Sequence, residues 1–470
     1  MSGVSNIMDI AWSGLFTRQK ALEITSHNIA NADTPGYHRQ EAIFQTSTPV
    51  SSSIGPMGTG VDIAEVRRFK NDFLGLQLRD ETSSLEYWNT MKDTLDQMES
   101  IFKEPTENGV SITLMEFWNS WQELASNPEE SYARLGVREA GRWLGQHMNL
   151  VADSLENLRS NQDEAAVSVV RQINNFANRI AEVNADISAA MKVGNQPNDQ
   201  FDRRDQLLME LAELVNINVA EDKGNGTVSV YISGDNLLTD TTVREIFIDE
   251  DSSGDSTISR FYWDRGKREV EVTGGLLKGF LESRDVAVQP VIDRLDEMAA
   301  GIIKSVNEVH EGGLSLDGTT GNSFFEPYAA SDGSNRGAAR NLKLAQIIEN
   351  NLDKIAAAGL GGTLPGDNTN AMAIADIRNG KVMQNGQLTI NDYYSETIAE
   401  VGFATRRAET RQENHGLARD QYRNMQESAT GVSLDEEMTQ LIRFQHGYQA
   451  SARLVKMADE VLATLVNLGR

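Results

Sequence analysis

The residue types that could carry covalent or metal chemistry are few in this chain and badly spaced for it. Its six histidines, His27, His38, His147, His310, His415 and His446, never fall four apart, the spacing that puts two imidazoles on one helix face for a zinc ion. His310-Glu311 has no second histidine at the offset a zinc-binding helix needs, so each histidine reads as a surface or boundary residue. The acidic cluster Asp249-Glu250-Asp251 with Asp255, and the loop Asp317-Gly318, lack the alternating oxygen ligands, central glycine and closing glutamate of a calcium loop. Gly274-Gly275 runs into Leu276-Leu277-Lys278-Gly279 without the Lys-Ser/Thr pair of a phosphate loop, and no Gly-x-Ser-x-Gly elbow is present. The chain has no cysteine, which removes disulfides, thiol nucleophiles and thiolate metal sites together. The sequence therefore predicts no enzyme, no metal and no cofactor.

Composition narrows the partners. With 470 residues the chain has room for about three domains. Its 43 basic and 69 acidic residues give a net charge of −26, which repels phosphate backbones and anionic headgroups, so neither nucleic acid nor a membrane surface is expected as a partner. The charge is concentrated: residues 1–60 carry three basic and four acidic side chains, residues 431–470 four and five, and the middle holds the rest. Near-neutral ends do not repel one another, and the acidic middle reads as solvated surface. No cleavable signal peptide is expected, since Asp9 interrupts the apolar start and the first basic residue is Arg18. The uncharged tract near the start is too rich in Ser, Thr, Gly and Pro to span a bilayer. A cytoplasmic protein and one exported without a cleaved signal both fit.

The elements that must position any interface are mostly helical. Val4, Met8, Ala11, Leu15, Leu22, Thr25 and Ile29 recur at steps of three and four, the seam of a helix over Val4–Ala32. It ends at Asn31-Ala32-Asp33-Thr34-Pro35-Gly36-Tyr37, where Pro35 presets φ and Gly36 tolerates the positive φ of a type II turn. An extended stretch, His38 to Gln45, follows. The other end mirrors the first: Leu434, Met438, Leu441, Tyr448, Ala452, Val455, Leu462 and Val466 form a seam, with Ser433 and Glu436 in capping-box spacing at its start. Stripes this narrow suit helices that pair with helices. Gln146 to Val193 contains neither Gly nor Pro and predicts one helix of roughly 70 Å. Phe73–Phe102, Ile112–Leu124, Phe201–Val215, the face Ile292 to Val309 and a polar helix over Ser395–Ser428 add to the helical content, and a short helix is expected near Leu342 to Ala358. Around Ala220 the period shifts to two: Thr227–Ile232, Val243–Ile248, Thr257–Trp263 and Arg268–Thr273 read as strands, with turns at Gly224-Asn225-Gly226 and Ser252-Ser253-Gly254.

These readings give a mainly α fold with a β insertion: an elongated, multi-domain rod whose N- and C-terminal helices pair as a coiled coil, with a long helical bundle and a distal small β domain. Residues 1–60 and 431–470 form the terminal helical domain, and 61–219 with 286–310 and 395–430 the helical rod. Residues 220–285 form a β-rich outer domain, and 311–394 an irregular or mixed segment packed on the outer domain or the rod.

The run Asn28-Ile29-Ala30-Asn31-Ala32-Asp33-Thr34-Pro35-Gly36-Tyr37 resembles the N-terminal signature of the bacterial flagellar axial family, the rod, hook and hook-associated subunits. Tyr37-His38-Arg39-Gln40 is similar to the hook-associated branch. So are Gly58-Thr59-Gly60-Val61-Asp62 before Arg67-Arg68, Arg203-Arg204-Asp205-Gln206-Leu207-Leu208, and Gly274-Gly275-Leu276-Leu277 with Arg284-Asp285. Leu316-Asp317-Gly318 with Phe324-Phe325, Gly431-Val432-Ser433-Leu434-Asp435-Glu436-Glu437, and Leu441-Ile442-Arg443-Phe444-Gln445 with Tyr448-Gln449-Ala450-Ser451-Ala452 continue it over nearly the whole chain. The middle is short for members with two outer domains, and Leu465-Val466-Asn467-Leu468 also resembles hook subunits.

The resemblance implies a structural subunit of the hook–filament junction, extracellular on the flagellum and exported unfolded through the flagellar type III channel. The partners it implies are like subunits in a ring, the hook protein, a second junction protein on the filament side, and a cytoplasmic export chaperone at the C-terminal helices. It further implies ends that stay disordered until assembly and then pair. On that reading Leu15, Leu22, Ile29, Leu441, Tyr448, Val455 and Leu462 are assembly residues, and Asn31, Thr34, Pro35, Gly36 and Tyr37 form the family turn; packing of an intramolecular helix pair explains the same apolar residues equally well. A hook or rod subunit of the same family, and a cytoplasmic helical scaffold, remain the alternatives.

Overall fold

The computed structural model describes residues 2–52, 55–102, 109–251, 258–263, 268–330 and 332–468. Helix α1 (Ser2–Ala30) leads into a β ribbon built from β1 (Gln40–Thr46), β2 (Val50–Ser52), β3 (Gly55–Met57) and β4 (Val61–Arg68). Four helices follow: α2 (Asp72–Phe102), α3 (Val110–Ser126), α4 (Ser131–Lys192) and α5 (Asn198–Leu214). Strands β5 (Asn218–Glu221), β6 (Val228–Ile232), β7 (Asp235–Thr239) and β8 (Thr242–Val243) make a four-stranded antiparallel sheet, and β9 (Phe247–Asp251) pairs with β10 (Ile258–Tyr262). The chain then returns to helix in α6 (Gly275–Glu282), α7 (Gln289–Glu311), α8 (Gln346–Asn350), α9 (Thr369–Asp376), α10 (Ile390–Thr430) and α11 (Leu434–Leu468).

At 62 residues, α4 is about 90 Å long and starts well before the Gly-free stretch that the sequence marks out. Gly141 and Gly145 sit inside it as contact points: a Cβ on Gly145 would lie 2.7 Å from the Leu342 carbonyl oxygen, and one on Gly141 2.9 Å from Leu344 and Phe324. The loss of helix propensity is offset by close approach of the 342–344 backbone. Two hydrophobic cores share this helix. The first joins its N-terminal part, up to Leu158, to α3, α7, α9 and the start of α10, around the aromatic cluster Phe117, Trp118, Trp121, Phe324 and Phe325. The second begins at Ala166 and packs Ile173, Ile180 and Ile187 against Leu208 and Leu211 of α5, Val230 of β6 and Trp263.

Local differences from the sequence reading have packing causes. The stretch near Leu342 to Ala358 forms only the single turn α8 and one 3-10 turn, because Leu342, Leu344, Ile348 and Ile355 must all point into the first core along an irregular path. Arg268–Thr273 makes one bridge, Tyr262 to Glu269, and then runs irregularly with Val270 and Val272 buried. Strand β7 was hidden by its turn, Ser233-Gly234, where both residues have positive φ (47° and 89°) and close a tight hairpin. The turn at Ser252-Ser253-Gly254 lies outside the described residues, as does Asp255.

His310 is buried in the first core, with Nδ1–H donating to the Asn322 carbonyl at 2.6 Å and Nε2 accepting from the Ala356 N–H at 2.9 Å. Burial pushes its pKa down from 6.5 to about 4. The folded chain keeps this ring neutral while the unfolded chain takes up a proton below pH 6.5, so its contribution is full above 6.5 and falls away toward pH 4. The loss amounts to about 3 kcal/mol. Urea unfolding of wild type and His310→Gln across this pH range should show the extra slope in the wild type alone.

Candidate assembly interface

The terminal helices α1 and α11 lie against each other. Small residues set their approach: a Cβ on Gly14 would meet Ser451 Oγ at 3.0 Å, and one on Gly447 would meet the Arg18 side chain at 3.1 Å. Arg18 sits against two rings that pack edge to face on each other, its guanidinium carbon 5.1 Å from the Phe44 centroid and 5.7 Å from that of Phe444. Leu15, Leu22, Ile29, Leu441, Tyr448, Val455 and Leu462 are all half-buried along this pair. The fully buried line on α1 runs one step round the helix, through Ala11, Thr17, Ala21, Thr25 and Asn28. The seam read from the sequence holds Ala11 and Thr25 of that line and misses Thr17, Ala21 and Asn28, whose small size is their only sequence signal.

The family turn places a polar clasp at the base of the pair. Gly36 adopts φ +77°, and the Thr34 and Tyr37 N–H groups donate to the Asn31 and Thr34 carbonyls at 3.0 and 3.2 Å. The Asn31 amide returns to the His27 carbonyl at 3.0 Å, and Thr34 Oγ1 donates to Asn31 Oδ1 at 3.2 Å. Tyr37 is thereby folded back so that its hydroxyl donates to Asn28 Oδ1 at 2.8 Å. Asn28, 1 % exposed, uses its whole hydrogen-bonding capacity: Oδ1 also accepts from the Gln40 N–H at 3.0 Å, and Nδ2 donates to the Gln40 carbonyl at 2.8 Å and to Glu437 Oε2 at 2.9 Å. Glu437, equally buried, takes Arg39 Nε at 2.7 Å on its other oxygen, and the Arg39 N–H donates to the Thr430 carbonyl at 3.0 Å. Burial beside Asp199, Asp202 and Glu437 pushes the Tyr37 phenol up, so it stays a donor.

A second set of contacts fixes this clasp to the helical body. His38 Nδ1–H donates to Asp202 Oδ1 at 2.7 Å, and Arg68 of β4 donates to Asp202 and Asp205 at 2.7 and 2.9 Å. Burial works against the Asp205 carboxylate, but Arg68, Lys70 and Arg204 hold it below the usual range. Gln40 Nε2 donates to Asp199 at 3.1 Å, and Asn198 donates to Gln40 and to the Val66 carbonyl. Arg204, in the Arg-Asp-Gln motif, donates to the Gly226 carbonyl and to Glu221, tying α5 to the sheet.

Among the described residues no group of three histidines or acids converges on a metal-sized site, and no helix is long and apolar enough to cross a membrane. What the pair does offer is exposed apolar surface: Ile7, Trp12 and Phe16 on α1, and Met438, Ile442, Leu454, Met457 and Val466 on α11.

Replacing Asn28 by Ala strands a buried carboxylate, a phenol and two backbone groups, a loss of roughly 3 kcal/mol from the terminal pair. Tryptic cleavage of the self-associated chain within residues 2–30 and 434–468 should then accelerate about 100-fold while cleavage within α4 stays unchanged.

Three family models match successive parts of the chain. The family model for the flagellar hook-associated protein FlgK helical domain matches residues 95–325. The model for the flagellar basal body rod FlgEFG protein C-terminal region matches 427–468, and that for the flagella basal body rod protein matches 8–38. The chain is 32% identical to flagellar hook-associated protein 1 of Bacillus subtilis (strain 168), over 98% of this chain and 97% of the relative. It is 24% identical to the protein of that name from Escherichia coli (strain K12), over 99% of this chain and all of the relative. That alignment spans 548 positions against 470 residues, so the enteric relative carries segments this chain lacks. The solved flagellar hook junction protein FlgK from Burkholderia pseudomallei shares the fold with a TM-score of 0.67 at 16% identity, over 76% of this chain and all of that one. The end-to-end similarity at 32% identity, together with both terminal matches, establishes that the chain belongs to the flagellar hook-associated protein 1 family, structural components of the bacterial flagellum.

Proposed function

We propose that this chain is a non-enzymatic subunit of the hook–filament junction that assembles with like copies through its terminal helix pair. The observation that carries the reading is the pair itself. Its two helices are clasped by Asn28 and Glu437, yet it leaves Trp12 and Phe16 on one helix and Met457 and Val466 on the other more than half exposed. Apolar surface of this kind on one end of a strongly acidic chain fits burial against further subunits. In this reading 1–60 with 431–470 is the assembly domain, and the helical body and sheet beyond it face outward. Hook protein lies below, a second junction protein on the filament side, and an export chaperone covers the C-terminal helices before secretion. The chain leaves the cell unfolded, without a cleaved signal, and the absence of cysteine suits a protein that folds outside.

The match of residues 427–468 to the rod and hook C-terminal model favours a hook subunit as the second reading. Gold-labelled antibody against residues 220–280, applied to isolated hook–filament particles, separates the two. A narrow band at the boundary is expected. Label along the whole hook supports the hook subunit, and no label on intact flagella overturns both.

A further inference from the structure

Helix α10 is anchored at both ends and loosely held between them. Its first half sits in the first core through Tyr393, Tyr394, Val401 and Ala408, and its last residue, Thr430, is buried where its carbonyl accepts the Arg39 N–H of the clasp. From 409 to 429, a run of about 30 Å, no residue is buried. The half-buried stripe toward α2 carries polar side chains, Gln412, His415, Arg419, Tyr422 and Gln426, at alternating steps of three and four. Gln412 Nε2 donates to Asn89 Oδ1 at 2.9 Å, and His415 Nδ1–H to Glu81 Oε2 at 2.8 Å. Leu417 and Met425 are instead 65% and 47% exposed, beside a groove of about 760 Å³ lined from the α2 side by Leu74.

Helix α2 is tied down on its other side. A Cβ on Gly274 would meet Ser83 Oγ at 2.7 Å, and one on Gly279 would meet the Thr90 Cβ at 2.6 Å. The Tyr87 hydroxyl donates to Glu282, and Asn216 donates to Asp80 at 3.4 Å. On the α10 side there is room: a Cβ on Gly416 would meet Leu85, and one on Gly402 Glu99, both at an ordinary 3.8 Å. Neither glycine is needed for close packing, and each weakens the helix that holds it. A helical run of this length with no buried apolar face is marginal in water, so once off α2 it loses its own hydrogen bonds.

We propose that residues 409–429 of α10 are a releasable strap, which parts from α2 and unwinds as a local unit while Ala408 stays in the core and Thr430 in the clasp. The body and the terminal pair are then joined by two routes of different stiffness. The ribbon route, through His38 with Asp202 and Arg68 with Asp205, is fixed by short, largely buried contacts, and the α10 route yields. With the strap released, the terminal pair tilts on the ribbon contacts without opening either core, taking its slack from a segment of low local stability. The strap belongs to the single chain and does not rest on the self-assembly reading.

Hydrogen exchange of the full-length chain, free and self-associated, tests the release. Amides of 409–429 are expected to exchange together, at least about tenfold faster than those of residues 74–90 and of α4. Gly416→Ala should slow them about fivefold, whereas Gly402→Ala, in the anchored half, should leave them unchanged. The tilt is read in the self-associated chain, diluted with unlabelled chain, and the absence of native cysteine makes the labelling clean. Spin labels on Lys223→Cys and Thr439→Cys should give a wider distance distribution than labels on Lys223→Cys and Glu182→Cys, both within the body. Exchange of 409–429 at the rate of α2, or no slowing by Gly416→Ala, overturns the strap. A Thr439 distribution as narrow as the body pair overturns the tilt. A wild-type chain that never self-associates counts against the self-assembly reading, and exchange in the free chain still decides the strap.

Discussion

Everything at the terminal end of this molecule depends on one buried amide. Asn28 spends two donors and two acceptor sites on four groups from three parts of the chain: the Gln40 backbone, the Tyr37 hydroxyl and the Glu437 carboxylate. A buried carboxylate is tolerated only when its charge is matched, and Arg39 matches that of Glu437. The helix pair, the turn and the start of the ribbon are therefore satisfied together or not at all. Apolar packing alone would leave the two helices free to slide, since the buried line on α1 above Asn28 is made of Ala and Thr. The polar node fixes the register, as single buried polar residues do in coiled coils.

From that node the constraint passes outward through short hydrogen bonds and ion pairs. His38, Arg68, Asp202 and Asp205 join the ribbon to α5, and Arg204 joins α5 to the sheet. The long helix α4 then carries both cores. An assembly subunit needs such a chain of contacts: a load on the terminal pair reaches the body through ion pairs and hydrogen bonds of fixed geometry rather than through a flexible linker.

The sequence made the helices legible because their periodicity is unbroken and their ends are marked: α2 begins and ends within a residue of the expected span, and Pro35-Gly36 stops the terminal helix where the turn lies. The clasp was not legible, because Asn28 and Glu437 are 409 positions apart and neither type announces burial. The seam was half legible. Large side chains at three-and-four spacing pointed to Leu15 and Leu441, while the closest contacts belong to Gly14, Gly447 and Ser451, which no hydrophobicity pattern selects. Where the chain is irregular, around 342–358, apolar residues are spaced for a helix but are drawn individually into a core that already has its helices.

Hydrogen exchange followed while the chain is concentrated through the point at which it self-associates bears on the coupling most directly. If Asn28 and Glu437 make the two ends one cooperative unit, amides of residues 5–30 and 434–466 gain protection together, over the same concentration range as association. Protection of one helix while the other still exchanges freely would contradict it.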